Sequence, residues 1–547
     1  MKKNLGLIAG VLACLGVIVI GYFWAFAIIG SLYDFRSPLK DSAPKPLQPL
    51  GSPATQRLIF ILVDGLRMDT AENKKVMPNL AALREKGASA TIHSEPPSYS
   101  EPAYTTLLTG ARPDISDGPP VNLEYETIYT FSQDDLFSSA HRAGLKTAIA
   151  GYYWFEKLVP QGAVDSSFYT PGEDDAADQA VTAAALPWIK DGNEQLILIH
   201  LDQVDYAGHH EGGAKDPRWN EAAARVDEMI GQIAKGIDLS KDTVLVLSDH
   251  GHIINGGHGG QDADVLVQPL VLAGKGIIPG TYGDVNQTDI APTLAALLGV
   301  AIPASSQGQA RVEMLALPQE TLEKLPQYAS DQLKGVVEAY SRAILGSVIS
   351  IDNNLLDSQQ ARGLVDEFRM QKLAPERTLR SIGAFLLALI PLFFIIRYWR
   401  KIFLWYIGGA FLTLFIFNLR YAWIDGRTYS LSSVTGEMDM ILYSGLTAAF
   451  AFAISWLAVM LATRSFTSGG TQAASRSILF TLFTIYILAI VALVNFGING
   501  WKVTWTLPDF LIQYLGLMAI IIAIFTAASG LALTGIAAFT GWLVGKR

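Results

Sequence analysis

Hydrophobic and polar positions follow two rhythms along this chain. Between residues 57 and 317, short apolar runs recur: "RLIFILVDG" at Arg57–Gly65, "KTAIAGY" at Lys146–Tyr152, "QLILIHLDQVD" at Gln195–Asp205, "DTVLVLSDHG" at Asp242–Gly251 and "QPLVLAG" at Gln268–Gly274. Their branched residues do not alternate with polar ones, the pattern of strands buried on both faces. Segments with helical spacing lie between them, at Met77–Lys86, Ser132–Gly144, Trp219–Gly236 and Thr288–Leu298. The alternation predicts an α/β domain, a mostly parallel sheet with helices on both faces. In open sheets of that kind ligands bind beyond the carboxyl ends of the strands. Three of the runs end there in Asp64, in Asp205 and in the Asp249–His250 pair.

The second rhythm is long and unbroken. Leu5–Gly30 carries no charge and follows Lys2 and Lys3. It is longer than the apolar core of a cleaved signal peptide, roughly 7–15 residues, and reads as an uncleaved anchor. "VLAC" at Val11–Cys14 has the look of a lipoprotein cleavage box, but the apolar run continues well past Cys14. Further spans are predicted at Ile382–Tyr398, Phe403–Trp423, Met440–Leu461, Ile478–Phe496 and Phe510–Val544. The last exceeds the ~20 residues of one upright span; it reads as one tilted helix or as two broken near Ser529–Gly530.

Lys and Arg then set the orientation. Lys2 and Lys3, the loop "RYWRK" at Arg397–Lys401, the Arg464–Arg476 loop and the final "GKR" all fall on one side if six spans leave both termini inside. The chain is therefore expected to be an integral, multi-pass protein of a plasma or inner membrane. Its N-terminus would be cytoplasmic and its hydrophilic middle extracytoplasmic. The divisions are an anchor (1–34), a Pro-rich stalk (35–56), the α/β domain (57–317), a helical connector (318–379) and about five C-terminal transmembrane helices (380–547).

Composition supports this picture: half the residues are hydrophobic and only 17% are charged. Cys14 is the single cysteine and lies in the first span, so the exported domain has no disulfide and relies on its core or on bound metal. A net charge of −9, with no basic stripe, argues against a nucleic-acid duplex as partner.

The candidate chemistry is concentrated. Six of the eight histidines fall between His200 and His258. "LDQVDYAGHHEG" places Asp205 and His209 four apart, and "SDHGHIINGGHGG" offers Asp249, His250 and, eight later, His258. Imidazole and carboxylate suit divalent metal, zinc first and manganese second. His210 and His252 read as neighbours of ligands; His93, His141 and His200 receive no role, His200 reading as a core residue. A pair of metal ions serves in-line displacement at phosphorus, which needs a nucleophile near a helix start. "EPPSYSEPAYTTLLTGARP" (Glu95–Pro113) offers Ser98 and Ser100 before a helix predicted to begin near Glu101–Pro102. On composition alone, either serine serves equally as a helix cap.

The set "FILVDGLR", "PSYSEPAYTTLLTG", "QVDYAGHHEG", "SDHGH…GGHGG" and "DIAPTLAALLGVAIP" resembles the alkaline phosphatase superfamily, and within it the type I phosphodiesterase/nucleotide pyrophosphatase branch. The resemblance implies an alkaline-phosphatase-like fold and two zinc ions. Asp64, Asp249 and His250 would hold one, together with the nucleophile, and Asp205, His209 and His258 the other. The pattern P-x-x-[ST]-x-P implies Ser100 as nucleophile, with a covalent phosphoseryl intermediate. Nucleotide pyrophosphatases commonly carry an Asn after that proline; this chain has Ala103, so the phosphate contact is expected from a backbone N–H near Glu101 or from Tyr104. Trp154 and Lys157 of "GYYWFEK" are the other candidate substrate contacts.

The membrane layout is similar to that of GPI ethanolamine phosphate transferases. Three functions follow. The first is a membrane-bound two-metal phosphodiesterase acting on phosphate esters. The second is a phosphoethanolamine (phosphoalcohol) transferase moving a headgroup from a phospholipid to a membrane glycolipid. The third, a non-enzymatic scaffold, has no need of six ligands and a placed hydroxyl. Arg420, Asp425, Arg427, Glu437 and Asp439, at predicted outer span ends, are read first as loop-end charges and second as lipid headgroup contacts.

Overall fold

The six residues of Leu58–Val63 (β1) are all apolar and all buried, because the strand lies mid-sheet with parallel neighbours on both sides. The computed structural model describes residues 2–351, 355–397, 401–434 and 436–544. Residues 398–400 of the basic loop and the closing "GKR" lie outside the described residues, as do the side chains of Lys2, Lys3 and Glu437. The chain divides into two compact units, one of residues 33–373 and 505–507, the other of 1–32, 374–504 and 508–547.

The first unit is an α/β fold. Its other strands are β2 (Ala88–His93), β3 (Thr147–Tyr152), β4 (Ser166–Thr170), β5 (Leu196–Leu201), β6 (Thr243–Leu247), β7 (Val267–Gly274) and β8 (Gly280–Asn286). They form one eight-stranded sheet in the order β4-β3-β5-β1-β6-β7-β2-β8. The sheet is mostly parallel, as predicted; β7 alone runs against both its neighbours, β6 and β2. After the loop 248–266 the chain returns beside β6 directly, which only an antiparallel neighbour permits without a crossover. The five apolar runs became β1, β3, β5, β6 and β7. No apolar run marks β4 and β8, since they are the two edges and most of their side chains are not buried.

Helices cover the sheet through amphipathic faces. Pro217–Lys235 buries Trp219, Ala222, Ala223, Val226, Met229, Ile230 and Ile233, the spacing of one helical stripe. Asp216 caps it by accepting from Arg218 N, and Pro217 occupies the first turn, where no N–H is needed. These side chains join Ile59, Ile61, Ile197, Ile199 and Val244 in one core. Each aliphatic side chain fully buried there contributes roughly 1.5–3 kcal/mol. Asp227 of the same helix accepts from Asn79 N and Leu80 N, both at 2.8 Å, and so satisfies the open end of helix Pro78–Lys86.

Segment 35–56 lies on this unit. Phe35 and Leu39 are buried, and Arg36 Nε donates to Asp117 Oδ1 at 3.0 Å. Helix Gln319–Leu345 packs Leu333, Val337 and Tyr340 against Val365 and Phe368 of helix Ser358–Arg397.

The second unit makes the chain an integral membrane protein: among the described residues six helices are long and apolar enough to span a bilayer. They are Leu5–Tyr33, Ser358–Arg397, Ile402–Ile424, Met438–Ala462, Gly470–Asn499 and Phe510–Val544. The last is one continuous helix, so the two-helix reading of that stretch is corrected. Gly530 is a crossing point rather than a break: a Cβ there would stand 2.2 Å from Thr481 Cγ2. Small residues let membrane helices approach this closely, and hydroxyls then bond across the contact. Ser477 and Thr534 hydroxyls lie 2.8 Å apart, and Trp456 Nε1 donates to Ser477 Oγ at 2.8 Å.

The charges at the other ends of these spans pair with one another. Arg427 bonds Asp439 at 2.8 Å and stacks over the Tyr443 ring, and Arg420 lies 3.6 Å from Asp425.

Candidate metal centre

The neighbours β5, β1 and β6 run parallel, so their carboxyl ends deliver Asp202, Asp64 and Asp249 side by side. Helix Gln203–His210 then starts at once, carrying Asp205 and His209 one turn apart on one face. The loop after β6 supplies His250, His252 and His258. Gly65, just after Asp64, has φ +69°, and a Cβ on it would lie 2.8 Å from His252 Nε2. Glycine meets both the backbone and the space requirement.

Two ligand-type groups result. In one, His250 Nε2 is 3.2 Å from Asp64 Oδ1, 3.3 Å from Asp249 Oδ2 and 3.2 Å from Ser100 Oγ. In the other, Asp205 lies 3.5 Å from His209 Nε2 and 3.6 Å from His258 Nε2, and the two imidazole nitrogens are 2.9 Å apart. The His250 and His258 rings stack at 3.8 Å and join the groups. All seven residues named from the sequence as metal ligands meet here.

Other side chains orient these. Gly257 N donates to His252 Nδ1 at 2.9 Å, which places the ring proton on Nε2, 2.6 Å from Asp205 Oδ1. His252 therefore holds Asp205 through its Nε2–H. Tyr152 N likewise donates to His200 Nδ1 at 3.4 Å, leaving Nε2–H to give to Asp64 Oδ2 at 2.9 Å. Tyr104 Oη donates to the same Oδ2. With Oδ2 taken twice, Asp64 Oδ1 is turned to the cluster. The sequence reading missed His200. The signal was an imidazole within a fully buried strand, which must find partners for two ring nitrogens.

Asp64, His200 and Asp202 also form a close group. Burial, reinforced by Asp64 and Asp205, pushes the Asp202 carboxyl well above its usual range. Burial and then Asp64 do the same to Asp249. Asp205 goes the other way: burial opposes its charge, but His209, His252 and His258 outweigh that and hold it well below the usual range. Burial lowers His252 to about 4, against the pull of Asp205, which keeps the ring neutral.

This donor set fits divalent cations. Asp64 Oδ1 and Asp249 Oδ2 are buried and accept no hydrogen bond. Such atoms cost free energy unless a cation or proton meets them. Imidazole and carboxylate together suit zinc.

The two serines part company. Ser98 Oγ donates to Gly260 O at 2.8 Å and accepts from Gly259 N at 3.2 Å, tying two loops together. Ser100 opens helix Ser100–Thr109, one residue earlier than expected, and its hydroxyl faces His250. Tyr104, expected as a substrate contact, is 1% exposed with its hydroxyl committed to Asp64. Glu101 N donates to Asn122 Oδ1 at 3.0 Å. Trp154 packs beside Tyr152, and Lys157 Nζ sits 4.0 Å over the Tyr125 ring. His93 pairs with Asp284, His141 lies near Asp165, and His210 is exposed, its ring 4.7 Å from that of Tyr206.

Residues 58–117 and 120–260 match the family model for type I phosphodiesterase / nucleotide pyrophosphatase. The resemblance read from the motifs therefore holds. Solved structures include human ectonucleotide pyrophosphatase / phosphodiesterase 5, at TM-score 0.40 and 14% identity over 45% of this chain and 95% of that one.

Curated relatives are more particular. The chain is 28% identical over 284 residues to the catalytic subunit of human GPI ethanolamine phosphate transferase 2, covering 47% of this chain and 28% of that protein. It is 28% identical over 314 residues to GPI ethanolamine phosphate transferase 2 of Yarrowia lipolytica, covering 52% and 36%. With human GPI ethanolamine phosphate transferase 1 it shares 27% over 351 residues, covering 55% and 37%. The matches thus span about a third of those relatives' lengths.

Proposed function

We propose that the chain is a membrane-bound phosphoethanolamine transferase. It would take the headgroup from a phospholipid such as phosphatidylethanolamine and pass it to a hydroxyl of a membrane glycolipid. The observation that carries the reading is the Ser100 hydroxyl 3.2 Å from His250 of the Asp64–Asp249–His250 group, with Asp205, His209 and His258 gathered beside it. The relatives raise transfer, the second reading from sequence, above hydrolysis.

Asp64, Asp249 and His250, with Ser100, would hold one divalent cation, and Asp205, His209 and His258 a second, most simply both zinc. Bound there, they would neutralise phosphate charge and lower the pKa of the serine hydroxyl. Ser100 Oγ forms a bond to the donor phosphorus as the bond to the glycerol oxygen breaks. The serine proton ends on the departing diacylglycerol. The acceptor hydroxyl then attacks phosphoseryl, and its proton returns to Ser100. His252 and His200 keep Asp205 and Asp64 in place through both steps. The Lys and Arg distribution supports a site on the outer face of the membrane.

The test is intact mass of the Ser100 peptide after brief incubation of the full chain with phosphatidylethanolamine liposomes and zinc, stopped by acid. A phosphoethanolamine adduct on Ser100, with release of diacylglycerol, is expected. No adduct, together with hydrolysis of a soluble phosphodiester, overturns transfer and leaves the phosphodiesterase reading, which the family match supports.

A further inference from the structure

The membrane unit contains a cavity of about 1080 Å³ between three helices, Ser358–Arg397, Ile402–Asn418 and Gly470–Asn499. That volume is at the top of the range for a bound organic ligand, roughly 300–1,000 Å³. Its chemistry is divided along its length. Ile390, Phe394, Phe403 and Leu479 are among its apolar lining residues, while Gln472, Ser475 and Arg476, from the first two turns of helix Gly470–Asn499, supply polar ones. The opening is lateral, because Ile390, Phe394 and Leu479 line the cavity yet expose 55%, 54% and 48% of their surface.

We propose that this cavity is a binding site for one membrane glycerophospholipid, its acyl chains along the apolar wall and its phosphate at Arg476. Three observations select that occupant. The lining helices are apolar enough to span a bilayer, so lipid is the medium at the lateral opening. The wall offers no polar partner at Phe394 or Leu479, which suits hydrocarbon and no water-soluble ligand. The polar end carries a cation, and a guanidinium pairs with the two oxygens of a phosphodiester. Arg476 is itself held in place: Nη1 donates to Thr463 O at 3.1 Å and to Ser465 Oγ at 3.5 Å, the Gln472 amide oxygen accepts from Nη2 at 3.1 Å, and Tyr406 Oη donates to Arg476 O at 3.2 Å. A guanidinium has five donors, so it serves a phosphate beside these contacts.

The site is separate from the candidate metal centre, which lies wholly in the other unit. Lys401 and Arg464 lie at helix ends of the same unit, so the same rule that orients the chain puts this phosphate in the cytoplasmic leaflet. The lipid would therefore be a resident ligand and not the phosphoethanolamine donor.

Native mass spectrometry of the full chain, released from nanodiscs of phosphatidylethanolamine and phosphatidylglycerol, reads the site directly. Wild type is expected to retain one phospholipid. Leu479→Trp fills the wall from an exposed position and is expected to lower retention at least tenfold without harm to folding. Arg476→Ala is expected to lower it similarly, and Arg476→Lys to restore part of it. Diacylglycerol with the same chains, supplied in place of phospholipid, is expected not to be retained. Equal retention by wild type and Leu479→Trp overturns the site. Equal retention of diacylglycerol overturns the role of Arg476, and detergent alone in wild type shows an adventitious occupant and overturns both.

Discussion

Trp456, Ser477 and Thr534 pass hydrogen bonds across three membrane helices, and Arg427 and Asp439 there face each other. At the carboxyl ends of β5, β1 and β6 the arrangement is reversed. Buried carboxylates and imidazoles crowd together, and Asp64 Oδ1 and Asp249 Oδ2 accept no hydrogen bond. In the membrane unit the named polar groups satisfy one another and so hold helices in register. At the strand ends of the α/β unit two carboxylate oxygens are left without a hydrogen-bond donor among crowded charges, a state that a bound cation would relieve. Self-satisfied polar groups indicate architecture, and crowded like charges without protein partners indicate a ligand site.

This contrast can be broken at several points. The largest effect is expected at Ser100: Ser100→Ala should cost on the order of 10⁴-fold or more in turnover, the scale of removing a nucleophile. Ser98→Ala, which loosens a loop tie, should retain turnover and lower the melting temperature instead. Comparable rates for wild type and Ser100→Ala would remove Ser100 from the chemistry.

Next come His252 and His200, which hold Asp205 and Asp64. His252→Ala and His200→Phe should each weaken zinc affinity about 10–100-fold, the usual range for outer partners of metal ligands. Competition with a coloured chelator measures this independently of activity. Unchanged affinity would mean that Asp205 and Asp64 are positioned by other means.

A smaller effect is expected in the membrane unit. Ser477→Val should cost about 0.5–2 kcal/mol, the range for a hydrogen bond between membrane helices. Zinc affinity should stay at the wild-type level, and a shift in it would show that the two units do not separate as their polar chemistry indicates.

The last is a pH effect away from the site. Asp135 caps helix Leu136–Arg142 by accepting from Phe137 N and Ser138 N, and burial raises its pKa to about 6. The folded state then binds this proton more tightly than the unfolded state. The associated stability is complete below the unfolded value, near 4, and is lost as pH rises to about 6, by at most about 1.4 kcal/mol per pH unit. Asn caps equally well but does not titrate. Asp135→Asn should therefore flatten the fall in melting temperature between pH 4 and 6, and a parallel fall in both proteins would refute the assignment.

Local pattern was enough to mark much of this molecule. Runs such as "RLIFILV" and "TVLVL" can be buried on both faces only within a sheet, so β1 and β6 were legible, as were the long apolar helices; the seven residues named as ligands gather in one place, six from the segments after β1, β5 and β6 and Ser100 from a helix start. Periodicity reports burial, and burial at the centre of a sheet or in lipid dominates the local signal. It does not report partners. The reversal of β7, the edge strands β4 and β8, and the continuity of Phe510–Val544 past Gly530 depend on residues far apart in sequence. So does the separation of Ser100 from Ser98, identical hydroxyls two residues apart, of which one meets His250 and the other Gly260. His200 shows the limit most clearly. Its strand announces a core residue, and only the approach of Asp64 and Tyr104, from 136 and 96 positions away in sequence, makes it part of the centre. Sequence determined which side chains are apolar and which can ligate; tertiary structure decided which of them meet, because that depends on the crossing of strands and helices that no local window contains.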